Sequence, residues 1–90
     1  MPPEDEDTLF EFPCRFPVKA MGRETEGFPA HVMELVQAAV GEVEHEDVVV
    51  RPSSKGRFLS VTVTFTAESR DQLDAVYRNL TGSKRILFVL

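Results

Sequence analysis

Leu59-Ser60-Val61-Thr62-Val63-Thr64-Phe65-Thr66-Ala67 alternates apolar and hydroxyl side chains without a break. Successive side chains on a strand point to opposite faces, so a period of two over nine residues is a β-strand with one apolar face and one polar face. Such a strand belongs in a sheet covered on one side only, because a sheet buried on both faces has continuous apolar runs instead.

Downstream of it, Ser69 with Gln72 three positions later has the form of a capping box. Leu73, Val76, Tyr77 and Leu80 then recur at helical spacing. Gly82 ends this helix, and Ile86 to Leu90 form a last strand guarded by Lys84 and Arg85. Upstream, Lys55-Gly56 turns the chain, and Asp47 to Arg51 with its Val48-Val49-Val50 run is an edge strand stopped by Pro52. Before that, Phe28, Val32, Leu35, Val36 and Ala39 make one apolar stripe on a helix with Pro29 in its first turn; Gly41 is expected to close it in the left-handed conformation. The first strand is predicted over Phe16 to Met21, with pairing starting after Pro17 because proline has no N–H to donate. A loop from Gly22 to Gly27 follows, bounded by two residues suited to positive φ.

The order is therefore βαββαβ. Each helix has a single apolar stripe, so both must lie on the one apolar face of the sheet. Right-handed crossovers then give an α+β, ferredoxin-like two-layer sandwich, a four-stranded antiparallel sheet with two helices on one face, its first and third strands central.

Ninety residues, 42% of them hydrophobic, suffice for one core. The net charge of −5 is unevenly placed: Glu4, Asp5, Glu6, Asp7 and Glu11 carry five negative charges, leaving ten acids and ten bases in residues 12–90. Residues 1–9 are thus expected to be a disordered acidic tail and residues 10–90 the domain. A neutral domain lacks the basic footprint of a nucleic-acid binder, and no apolar run approaches the length of a membrane span. The acidic start is unlike a signal peptide, and the lone Cys14 forms no internal disulfide. The expected compartment is the cytoplasm.

Phe12-Pro13, Lys19-Ala20-Met21-Gly22, Arg51-Pro52-Ser53-Ser54-Lys55-Gly56, the alternating strand, Gln72-Leu73, Tyr77 and Val89-Leu90 together resemble the YbeD-like family of uncharacterised bacterial proteins over roughly residues 10–90. The Arg-Pro-Ser-Ser-Lys-Gly segment is the most specific piece. The resemblance implies a ferredoxin-like fold similar to the ACT regulatory domains, and no assigned activity.

Two candidate ligand sites follow. Arg51, Lys55 and Arg57 surround a turn with Ser53, Ser54 and Gly56, where cations, hydroxyls and backbone N–H groups would converge on an anion; the alternative is a polar hairpin. It is no Walker A loop, since Gly56 leads into a strand. The second is the loop containing Gly22, Arg23 and Gly27, where ACT-type domains hold a ligand. It lacks the acidic-X-Pro-Gly run common in that group, and the catalytic loop of acylphosphatases around Arg23 is also absent. Cys14 beside Arg15 has no positioned general base, His31 falls on the polar side of its helix, and His45 stands among Glu44, Glu46 and Asp47 at a strand entrance. Neither a catalytic residue, nor a metal site, nor a cofactor is implied.

The open sheet face carries Ser and Thr, including Thr62 and Thr64, where RNA-recognition modules carry aromatic residues. The last strand differs: Ile86, Leu87, Phe88, Val89 and Leu90 are apolar on both faces, so one set is exposed whichever set is buried. Ile86, Phe88, Val89, Leu90, Thr62 and Thr64 are therefore the expected contact surface for a protein partner or a second copy. The sequence favours a non-enzymatic regulatory or adaptor module with a small-molecule ligand as a second partner. The alternatives are a small enzyme acting on an anionic substrate through Arg51, Lys55 and Arg57 or Arg23, and a weak nucleic-acid binder.

Overall fold

In the computed structural model, β3 (Phe58–Ala67) lies between β1 (Cys14–Arg23) and the edge strand β2 (Val48–Pro52), and β4 (Ile86–Val89) flanks β1 on its other side. The structure describes residues 11–53 and 55–90; the tail expected at residues 1–9 and Ser54 lie outside them. All three strand pairs are antiparallel, in the order β2-β3-β1-β4. Helices α1 (Phe28–Val40) and α2 (Arg70–Thr81) cover one face, completing the expected ferredoxin-like sandwich, and a short 3-10 turn at His45–Asp47 leads into β2. Among the described residues no helix is long and apolar enough to cross a membrane.

The alternation of β3 is realised as read: Val61, Val63, Phe65 and Ala67 are buried while Thr62, Thr64 and Thr66 face the open side. Val18 and Ala20 of β1 extend that apolar surface, and Val32 and Val36 of α1 with Leu73, Val76 and Leu80 of α2 close over it. The helices are also tied by polar groups. Asn79 Nδ2 donates to the Leu35 carbonyl at 3.0 Å, and Gln72 Nε2 to the Ala39 carbonyl at 3.4 Å.

Local features depart from expectation where long-range pairing intervenes. β1 begins at Cys14 and pairs with β3 straight through Pro17, opposite Thr64. Lys19 exchanges both backbone hydrogen bonds with Leu90 on the β4 side, so by alternation the position of Pro17 also turns its backbone that way, past the last residue paired there. Among the described residues the missing donor therefore faces no partner strand. Ser69 caps α2 by accepting from the Gln72 N–H at 3.2 Å, as a capping box requires. The reciprocal bond is displaced by one residue, with Gln72 Oε1 accepting from the Glu68 N–H at 2.7 Å. Gly41 closes α1 with φ 85° and ψ −164°, an extended positive-φ conformation and not the left-handed helical one. His31 is not simply on a polar face: its Nε2 lies 2.8 Å from Ser83 Oγ, joining α1 to the connection before β4.

Candidate functional site

On the open face, directly opposed residues of neighbouring strands form rows across the sheet. One row runs Val49, Thr62, Lys19, Leu90 and the next Arg51, Ser60, Met21, Phe88. Beyond them Phe58 faces Arg23, and in the other direction Thr64 faces Pro17 and Thr66 faces Arg15. The face is thus graded, with hydroxyl and charged groups toward the start of β1 and apolar groups toward its end.

At the polar end Arg15 pairs with Asp47 at 2.7 Å and donates to Thr66 Oγ1 at 3.2 Å. Arg15 therefore turns away from Cys14, its neighbour in sequence, which packs half-buried against the core on the other side of the strand. His45 is exposed in the 3-10 turn. Among the described residues no three His, Cys, Asp or Glu side chains gather to hold a metal ion.

At the apolar end, Met21, Gly22, Ser53, Phe58, Leu87 and Phe88 line a groove of about 290 Å³. Its apolar side chains are held out in water: Leu87 is 52% and Phe88 66% exposed, with Leu90 at 68% one row away. The cause is a register irregularity. The β1 and β4 ladder shifts between Met21 and Gly22, so that Gly22 faces Ile86 and Met21 faces Phe88, leaving Leu87 without an opposite residue. Ile86 and Val89 thereby turn toward the helices, Ile86 to only 9% exposure and Val89 half-buried against the core. Of the expected contact set, Phe88 and Leu90 stand on the open face, Thr62 and Thr64 are half-buried within it, and Ile86 belongs to the core.

Gly22 is placed differently from expectation. It lies within β1, buried, and does not adopt positive φ. A Cβ there would collide with the Arg85 carbonyl oxygen and stand 2.6 Å from the Phe28 ring, so glycine is required by close approach. Gly27 does take positive φ, 76°, as the N-cap of α1.

The loop between them is fastened by Arg85. Its guanidinium donates to Thr25 Oγ1 at 2.8 Å and to the Glu26 carbonyl at 3.0 Å, and lies 5.8 Å from the centre of the Phe28 ring. From the sequence Arg85 is only a guard of the last strand, because no local pattern links it to Thr25, sixty residues away. Arg23 leaves the loop altogether and sits over the Phe58 ring at 5.7 Å. Arg23, Thr25, Lys84, Arg85 and Leu87 border a second hollow of about 170 Å³, which shares Leu87 with the apolar groove.

The basic turn closes on itself. Ser53 Oγ accepts from the N–H groups of Arg57 and Phe58, both at 3.2 Å, and the Ser53 carbonyl accepts from the Gly56 N–H at 3.0 Å. The Ser53 N–H is in turn spent on the Phe58 carbonyl at 2.8 Å. Its hydroxyl and these backbone donors hold the hairpin, while Arg51, Lys55 and Arg57 are exposed around it. The structure thus brings Ser53 to the groove wall, with its hydroxyl oxygen used to close the hairpin.

Residues 7–90 match the model of a protein family of unknown function, DUF493. The chain belongs to this family. It is 46% identical over 87 residues to a UPF0250 protein of Chromobacterium violaceum, covering 97% of this chain and 98% of the relative. It is 44% identical over 89 residues to the UPF0250 protein PA3998 of Pseudomonas aeruginosa, with 98% and 96% covered. A UPF0250 protein of Neisseria gonorrhoeae is 38% identical over 87 residues, with 97% and 96% covered. These bacterial relatives agree with the resemblance drawn from the Arg51 to Gly56 segment and the alternating strand. Among solved structures, the solution structure of protein HP0495 from H. pylori superposes with a TM-score of 0.71 at 12% identity, covering 100% of this chain and 94% of that one. It shows the fold alone. The family carries no named activity.

Proposed function

We propose that this protein is a non-enzymatic regulatory or adaptor module of the cytoplasm that works by docking a partner polypeptide on its open sheet face, at the groove between Met21, Phe58, Leu87 and Phe88. The observation that carries the reading is the cluster of exposed Leu87, Phe88 and Leu90 at the Met21 and Phe58 end of a face whose remainder, Val49 and Pro17 apart, is Ser, Thr and charged residues. An exposed aromatic ring beside a concave apolar wall is the usual anchor of a protein contact, and in water it stabilises nothing. Ser53 Oγ closes its own hairpin and Arg85 fastens the loop through Thr25 and Glu26, structural uses that favour docking over catalysis.

Phe88→Asp tests it. The variant is expected to melt like the wild type, since Phe88 contributes little to the core, and to lose the association that sedimentation and affinity capture detect for the wild-type chain. A wild-type chain that stays monomeric at high concentration and retains no protein, or a Phe88→Asp variant that associates unchanged, overturns the reading.

A further inference from the structure

We infer that the occupant of the groove is an extended acidic-apolar segment of a partner protein, with one or two apolar side chains against Leu87 and Phe88 and carboxylates against Arg23, Lys84 and Arg85. The inference rests on the docking reading above and adds the chemistry of the partner.

The apolar groove and the second hollow both border on Leu87, and the side chains of Arg23, Lys84 and Arg85 stand around the second. These are three of the five residues that line it, and none of the five is acidic. Glu24 and Glu26 are near in sequence but do not line it. Among the described residues neither Arg23 nor Lys84 has a carboxylate partner. Arg23 lies over the Phe58 ring and Arg85 is held by Thr25 Oγ1 and the Glu26 carbonyl, so two of the three cations are already oriented before anything binds. The matching partner presents negative charge next to an apolar side chain. On an extended chain, residues one or two positions apart are separated by about 3.5 to 7 Å, so an acidic and an apolar side chain can flank Leu87 together.

A peptide fits better than an acyl chain with a carboxylate head because of what forms the outer wall. β4 is an edge strand. Leu90 gives its N–H and C=O to Lys19, so alternation turns those of Val89 to the free edge. An extended segment would pair with that edge and set its side chains beside Leu87 and Phe88, the outer side of the groove. A hydrocarbon tail has nothing to offer these groups.

The test is a titration of the 90-residue chain, labelled with ¹⁵N, with the blocked peptide Glu-Asp-Leu-Phe-Glu-Asp, with its counterpart bearing Lys for every acid, and with one bearing Ala for Leu and Phe. The acidic-apolar peptide is expected to shift the amides of Met21, Leu87 and Phe88 and to bind about tenfold or more tighter than either control. Raising salt from about 50 to about 500 mM should weaken it. The double change Arg23→Glu with Lys84→Glu should weaken it by about tenfold or more, with Asp47→Ala at the far end of the face leaving it unchanged. Each variant is checked by its melting curve, and Lys84→Glu alone, a change at an exposed side chain without a partner, serves if the double variant is unfolded.

Equal binding of the Lys peptide, indifference to charge reversal or salt, or no peptide binding at all overturns the inference. So does decanoate, or a vesicle of phosphatidylcholine and phosphatidylglycerol, producing the same shifts where the peptide produces none. In any of these cases loss of partner association by Phe88→Asp still upholds the docking reading, whereas unchanged association in that variant removes both.

Discussion

The two ends of β1 solve the same problem in opposite ways. At the Cys14 end the strand is packed on its covered face by aromatic contacts, Phe16 against Phe65 at 6.0 Å and edge-on to Tyr77 at 6.5 Å. Its open face there is occupied by Arg15, satisfied by Asp47 and Thr66. At the Arg23 end the covered face comes so close to Phe28 and the Arg85 backbone that only a glycine fits. The open face there holds out Phe88 beside a half-buried Met21, and among the described residues nothing covers Phe88. One end is finished within the chain and the other is left incomplete. A folded domain does not gain stability from exposed Leu and Phe side chains, and their concentration at the unfinished end is the ground for the docking proposed there.

The largest effect expected from breaking this contrast is at Gly22. Gly22→Ala places a methyl group into the Arg85 carbonyl and the Phe28 ring, and should cost about 3 kcal/mol through overpacking, seen as a fall of roughly 15 °C in melting temperature. It should also distort the register that presents Phe88, so partner association falls with it. At the finished end, Asp47→Ala removes the ion pair to a largely exposed Arg15, and a loss of only about 0.5 kcal/mol is expected in chemical denaturation. Association should be untouched. Loss of association in that variant would erase the distinction between the ends.

The smallest effect is confined to alkaline solution. Burial beside Phe16 raises the pKa of Tyr77, because desolvation disfavours the phenolate. A group whose folded pKa lies above its unfolded value of 10.0 contributes stability that is complete below that pH and is lost as pH rises through the folded value. The wild type should therefore lose stability above about pH 10 more steeply than Tyr77→Phe, as followed by denaturation at a series of alkaline pH values. Identical slopes would show that the packing around Tyr77 does not discriminate its protonation states.

Much of this was legible from residue order. The alternation of Leu59 to Ala67 implied one covered face, and the stripes Phe28 to Ala39 and Leu73 to Leu80 supplied what covers it. The Ser69 cap was legible because its partner lies three residues away. The doubly apolar last strand was legible as an anomaly, but not which of its side chains would stand in water. Arg85 was misjudged because its partners, Thr25 and Glu26, are brought to it only by the sheet. Ser53 was read as an available hydroxyl, while the hairpin it sits in uses that oxygen for its own closure.

The sequence by itself determined the elements, their order and the side of the sheet the helices take, since periodicity is a local property and each apolar stripe must find another. The tertiary structure decided the site. Whether Ile86 or Phe88 is buried depends on the shift between Met21 and Gly22, and that shift arises where β1, β4, the Phe28 ring and the Arg85 backbone meet. A one-residue change of register exchanges the faces of a strand, and register is set by partners far away in the chain.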